Sequence, residues 1–143
     1  NINLLRSVYN EELDMMIDET GNDYDRVIFS RLDVLYDEPF KKEFDDFDLD
    51  FINIPDFHNW GGYNDRFAIS NRNNMRKYFS LFDRIDEYSR EGVVLHAETN
   101  LKLHLDRQGA RIKHFPIRFI RVRGGGKPHE SVEELNNEWS GIA

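Results

Sequence analysis

Apolar positions along this chain alternate between two periods. Leu5, Val8, Tyr9, Leu13, Met16 and Ile17 recur at helical spacing, and Gly21-Asn22 supplies a stop, so a first helix is expected there. Residues 24–36 then read as a strand, ended by Asp37-Glu38-Pro39. Residues 40–48 fit either a short helix or a loop. A shorter strand follows over 49–55, closed by Pro55. The glycine-bearing loop 58–65 leads into a third strand over 66–70.

Asn71 or Asn73 is expected to cap the next helix, whose apolar face is Met75, Tyr78, Phe79, Phe82 and Ile85 and whose break is Glu91-Gly92. A further helix spans about Ala97 to Arg107 and stops at Gly109. Residues 115–122 read as the last strand, followed by a flexible loop, Gly124 to His129, and a short terminal helix from Val132 to Trp139. Helices interleave with strands, so the expected class is α/β, a layered mixed sheet flanked by helices.

Two charges interrupt the best apolar run, Val27-Ile28-Phe29-Ser30-Arg31-Leu32-Asp33-Val34-Leu35-Tyr36. On a strand, Arg31 and Asp33 would share one face. They form either a local ion pair at a strand end or a carboxylate delivered to a ligand at the strand's C-terminal edge. The sequence leaves both readings open.

Composition narrows the classes. The chain has 143 residues, which suits one domain; 39% are apolar and 13% aromatic, a globular balance, and 11 phenylalanines point to an aromatic-rich core. A net charge of −8 argues against a nucleic-acid partner. The absence of cysteine excludes disulfides, thiolate zinc sites and cysteine nucleophiles. It fits a reducing compartment, and a cytoplasmic location is expected. No apolar run approaches the roughly 18–20 residues of a membrane span. The chain starts at Asn1 and enters a helix-like pattern almost at once, which reads as a single domain over residues 1–143 cut from a larger one.

Three carboxylates lie in apolar surroundings: Asp33, Asp65 and Glu98. Glu98 stands three residues before Leu101, on or beside the buried face of its helix, where an unpaired carboxylate is costly. Such groups suit Mg²⁺ or Mn²⁺, or divide between metal binding and general-base work. The five histidines contain no HExxH pattern, and each of His58, His96, His104 and His114 reads as a surface or hydrogen-bonded group. His129 differs, because it follows Gly-Gly-Gly-Lys-Pro in a loop able to fold over a phosphate. No Walker loop, dinucleotide fingerprint or GxSxG elbow is present. Arg121 and Arg123 would share a strand face, where they could hold a diphosphate or simply balance the acidic surface.

The order of YDRVIFSRLDVLY, GGYNDRFAIS, HAETNLKLHL and FPIRFIRVR resembles the later half of A-type (GT-A) glycosyltransferase domains. It is most similar to the glycosyltransferases of bacterial polysaccharide and large-virus genomes that carry Arg-x-Asp in place of DxD. The resemblance covers about Asp23 to Arg123. It implies a GT-A-like fold lacking the N-terminal part that binds the nucleotide base. It also implies a hexosyltransferase-like enzyme that moves a sugar from a nucleotide-sugar to a glycan or other hydroxyl acceptor, with Mn²⁺ or Mg²⁺. Asp33 then matches the metal-binding aspartate, while Arg31 stands where the family has the first aspartate and would join the donor site. Asn64 and Asp65 match a segment near the donor sugar. Glu98 matches the acidic position that often serves as base or orients the acceptor in inverting enzymes, with Asp65 the second catalytic candidate. Arg121, Arg123 and Lys127 would reach the diphosphate, and His129 the metal.

Two other classes compete. A non-catalytic glycan- or protein-binding module would keep the fold without the first aspartate of DxD. A metal-dependent hydrolase would use Asp33, Asp65 and Glu98 as oxygen ligands.

Overall fold

The computed structural model describes residues 23–36 and 43–128, together with Glu11, Met15, Gly21 and Pro39. The expected first helix lies largely outside the described residues, and the expected terminal helix and His129 lie outside them entirely.

The protein is a mixed α/β structure. Among the described residues seven strands run in chain order: β1 (Val27–Ser30), β2 (Val34–Tyr36), β3 (Ile52–Pro55), β4 (Phe67–Ser70), β5 (Ile112–Phe115), β6 (Phe119–Arg123) and β7 (Lys127–Pro128). Between β4 and β5 come three helices: α1 (Arg72–Phe79), α2 (Leu81–Arg90) and α3 (Ala97–Arg107). A 3-10 turn, Phe44–Asp46, lies among the described residues of the segment 40–48. One sheet has the order β1-β4-β3-β5 and the other β2-β6-β7. The larger sheet is mixed: β3 pairs with β5 in parallel and with β4 antiparallel.

The larger sheet is buried on both faces. Ile52, Ile54 and Ala68 meet Met75, Tyr78, Leu81, Tyr88, Leu101 and Leu105, so all three helices join the core on one side. Phe67 and Ile69, alternating with Ala68 along β4, turn to the other side and join Phe47, Phe57, Phe115 and Phe119. That second core carries much of the aromatic content.

Several expected elements are divided. The strand expected over 24–36 is two strands in two sheets, β1 against β4 and β2 against β6, with a turn at Leu32-Asp33. Arg31 and Asp33 are therefore not successive residues of one strand face; they sit at the corner where the chain changes sheets. The strand expected over 115–122 begins later, as β6 at Phe119, and an unexpected strand, β5, precedes it; Pro116, which has no N–H to give a ladder, lies between them. The helix expected after Asn71 breaks at Ser80, whose hydroxyl bonds back to the Lys77 carbonyl at 2.9 Å. Asn71 is its cap, accepting from the Asn74 N–H at 2.9 Å. The expected flexible loop is, over Gly124–Gly126, the tight turn of a hairpin joining β6 to β7. No helix among the described residues is long and apolar enough to cross a membrane.

Candidate functional site

The corner between β1 and β2 brings Arg31 and Asp33 together. The guanidinium donates from Nε to Oδ1 at 2.8 Å and from Nη2 to Oδ2 at 2.6 Å, a two-pronged fit between planar groups. Backbone bonds hold the corner on both sides: the Arg31 N–H donates to the Arg66 carbonyl, and the Val122 N–H donates to the Asp33 carbonyl. Hydrogen bonding to Arg31 holds the Asp33 carboxyl below its ordinary range against the opposing effect of burial, with Arg121 adding to the pull. Burial works against the charge of Arg31, yet Asp33, Asp65 and Glu98 together raise its pKa.

The second part of the site is the loop 56–66 laid against the start of α3. Asn64 is buried and pins the loop: its amide donates to the Phe57 carbonyl at 2.8 Å, and its oxygen accepts from the Arg66 N–H at 2.9 Å. Gly62 makes the close approach possible, since a Cβ there would overlap the Glu98 carbonyl. That carbonyl accepts from the Tyr63 N–H at 3.0 Å. The loop thus fixes both Asp65-Arg66 and the first turn of α3.

Glu98 is buried there between the side chains of Arg66 and His96. Its Oε1 lies 4.0 Å from Arg66 Nη2, and its Oε2 lies 3.6 Å from His96 Nε2. Arg66 is buried too, and its Nη1 lies 3.0 Å from His58 Nδ1. Its Nε meets no hydrogen-bond partner among the described residues. Burial lowers the Arg66 pKa, and the positive charges of Arg121 and Arg31 lower it further, while Asp65 and Glu98 oppose them. Three guanidinium groups and the carboxylates of Asp33, Asp65 and Glu98 therefore act on one another across β1, β4, α3 and β6.

Of the residues singled out from sequence, Arg31, Asp33, Asp65, Glu98 and Arg121 fall in this cluster. Asn64 adjoins it, with its side chain engaged in shaping the loop. Arg123 is exposed at the end of β6, in register with Lys127 across the hairpin. Sequence reading did not mark Arg66; it read His58 and His96 as surface or hydrogen-bonded groups, and they are that, with His58 bonded to Arg66 and His96 to Thr99. Arg66 directly follows Asp65, but nothing local shows that a strand-entry arginine turns inward. Left-handed backbone angles at His58 (φ 52°) and Trp60 (φ 47°) have no sequence signature either.

His104 has a different part. It is fully buried in the helix-side core, with Nε2 donating to the Lys77 carbonyl at 2.9 Å and Nδ1 facing the Tyr88 hydroxyl at 2.8 Å. Burial pushes its pKa down, so it is a neutral, hydrogen-bonded group of the framework.

For a divalent cation the fit is poor among the described residues. Both Asp33 oxygens are engaged by Arg31, and no group of three or more His, Asp or Glu is arranged to hold an ion. No family model, no curated protein and no solved structure matches this chain.

Proposed function

We propose that this chain handles the donor diphosphate and the acceptor proton in a glycosyltransferase, with Arg66 and Arg121 attending the leaving group and Glu98 acting as general base. In the step, the bond from the anomeric carbon to the diphosphate oxygen breaks, and a bond from the acceptor oxygen to that carbon forms. The acceptor proton goes to Glu98, and the negative charge stays on the departing diphosphate. Asp65 orients a hydroxyl of the transferred sugar. Arginines suit the leaving group because their planar donors match phosphate oxygens in pairs.

The observation that carries the reading is the open bonding of the buried Arg66–Glu98 pair. At 4.0 Å the ions are well beyond the roughly 2.7–2.9 Å of a charge-assisted hydrogen bond. Crowding by Arg121 and Arg31 is relieved by a bound anion. A network whose whole purpose was to pin the fold would be expected to close these bonds, as Arg31 and Asp33 do. The resemblance in motif order supplies the reaction class.

Calorimetry with a panel of nucleoside diphosphates (UDP, GDP, ADP and CDP) at low salt tests this. At least one is expected to bind, and Arg66→Met is expected to weaken it about tenfold or more, as loss of a charged hydrogen-bonding partner does. Identical affinity in the variant would remove the arginine cluster from donor binding. Repeating the titration with Mn²⁺ reports whether a cation adds to the site. Release of free sugar from a nucleotide-sugar at the same rate with and without acceptors would favour hydrolysis over transfer.

A further inference from the structure

We propose that Trp60 is the stacking platform for the acceptor sugar ring, linked through His58 and Arg66 to the Glu98 carboxylate. The inference rests on the transferase reading and adds the group that would position the attacking hydroxyl.

Trp60 is 48% exposed, yet its indole is not loose. It lies on the imidazole of His58, with ring centroids 5.2 Å apart and planes 16° from parallel. One indole face is therefore backed, and the other accounts for the exposure. His58 is itself 2% exposed and bonds to Arg66, the guanidinium that faces Glu98. A continuous line of contacts, Trp60 to His58 to Arg66 to Glu98, ties the platform to the base.

The backbone under it is strained. His58 and Trp60 both hold φ near +50°, a region that bulky side chains rarely enter, and Gly61 continues in it at 76°. Strain of this kind persists only where surrounding structure imposes it, and it concentrates at ligand sites. Here it holds a large apolar ring outward, against the tendency of such rings to bury. The same loop is tied down by the Gly62 approach to Glu98 and by the Asn64 hydrogen bonds.

A pyranose ring matches this surface. Its axial C–H bonds make one weakly positive, apolar face, suited to the negative face of an indole, while its hydroxyls project around the edge. Stacked on Trp60, such a ring keeps its hydroxyl edge free for a carboxylate. Because the linked base takes a proton from the attacking hydroxyl, the fitting occupant is the ring that carries that hydroxyl.

The test uses the full chain in a Trp139→Phe background, where Trp60 is the sole indole of the two tryptophans. The Trp60 indole N–H signal is followed by NMR during titration with methyl glycosides of glucose, galactose and mannose, and separately with nucleoside diphosphates. At least one glycoside is expected to shift it in a saturable way. Trp60→Ala is expected to weaken that glycoside about tenfold or more, and Trp60→Phe to retain most of the affinity. If Ala disturbs the other amide signals, Trp60→Gly, which tolerates the left-handed backbone, takes its place. A shift with nucleoside diphosphates and none with glycosides makes Trp60 a nucleobase platform and overturns the proposal, as does no shift with either. Diphosphate binding by calorimetry with an unmoved Trp60 overturns the stacking alone. Complete absence of diphosphate binding overturns the transferase reading, and with it the role of acceptor platform.

Discussion

Arg31–Asp33 and Arg66–Glu98 are the same chemical pair in two situations. The first joins residues two apart in sequence, with both prongs closed at 2.6–2.8 Å and side chains 21% and 35% exposed. The second joins residues on β4's entry and on α3, stands open at 4.0 Å, and is buried with side chains 6% and 11% exposed. A closed, half-solvated pair satisfies itself and needs nothing more. An open, buried pair leaves hydrogen-bonding capacity and charge inside a cluster, which is where a ligand gains most. The difference separates the corner that shapes the site from the groups assigned to work in it.

Glu98→Gln gives the largest expected contrast. Turnover should fall by about 10²–10⁴ while diphosphate affinity stays nearly constant, because a base acts on the acceptor proton. Initial-rate assays paired with calorimetry read both. A variant with wild-type rate would take Glu98 out of the chemistry and leave Asp65 as the candidate base.

The same substitution placed in each pair comes next. Arg66→Met leaves a buried carboxylate without its cation and should cost about 3 kcal/mol of stability. Arg31→Met, at the partly exposed corner, should cost about 1 kcal/mol or less. Urea denaturation of both variants measures this, and equal losses would erase the distinction drawn between the pairs.

Asp33→Asn is smaller again. It removes one charge from the closed pair and should change stability by about 0.5–1 kcal/mol. Diphosphate binding in the absence of metal should survive it. If Mn²⁺ strengthens binding to the parent protein and not to this variant, Asp33 is a metal ligand that leaves Arg31 when donor is present.

The smallest expected effect concerns His104, the closed counterpart of His58. Its folded pKa lies below the ordinary 6.5 because burial penalises the imidazolium. The unfolded chain therefore takes up the proton more readily. Stability from this group is complete above about pH 6.5 and falls as the pH drops from there toward the folded value. Thermal melts at pH 7.5 and 5.5 should show a smaller drop in His104→Gln than in the parent. An unchanged difference would mean that other groups carry the acid sensitivity.

Periodicity made much of the framework legible in the chain. The Asn71 cap, the Gly92 break and the Ala97–Arg107 helix follow from residues within a turn or two of one another, and the α/β class follows from their order. Ion pairing between Arg31 and Asp33 was one of two readings their spacing left open, and it holds at a corner and not on a shared strand face. The corner that splits residues 24–36 between two sheets was not legible, because it is decided by which partners β1 and β2 find, and those lie in β4 and β6. Glu98 could be singled out from its helical position beside Leu101. Its surroundings could not: Arg66 stands 32 positions earlier and carries the His58–Trp60 stack behind it, and Gly62 lets their loop touch the start of α3. Helix and strand periods are properties of neighbouring residues, whereas this site is made by contacts between segments that share no local signal.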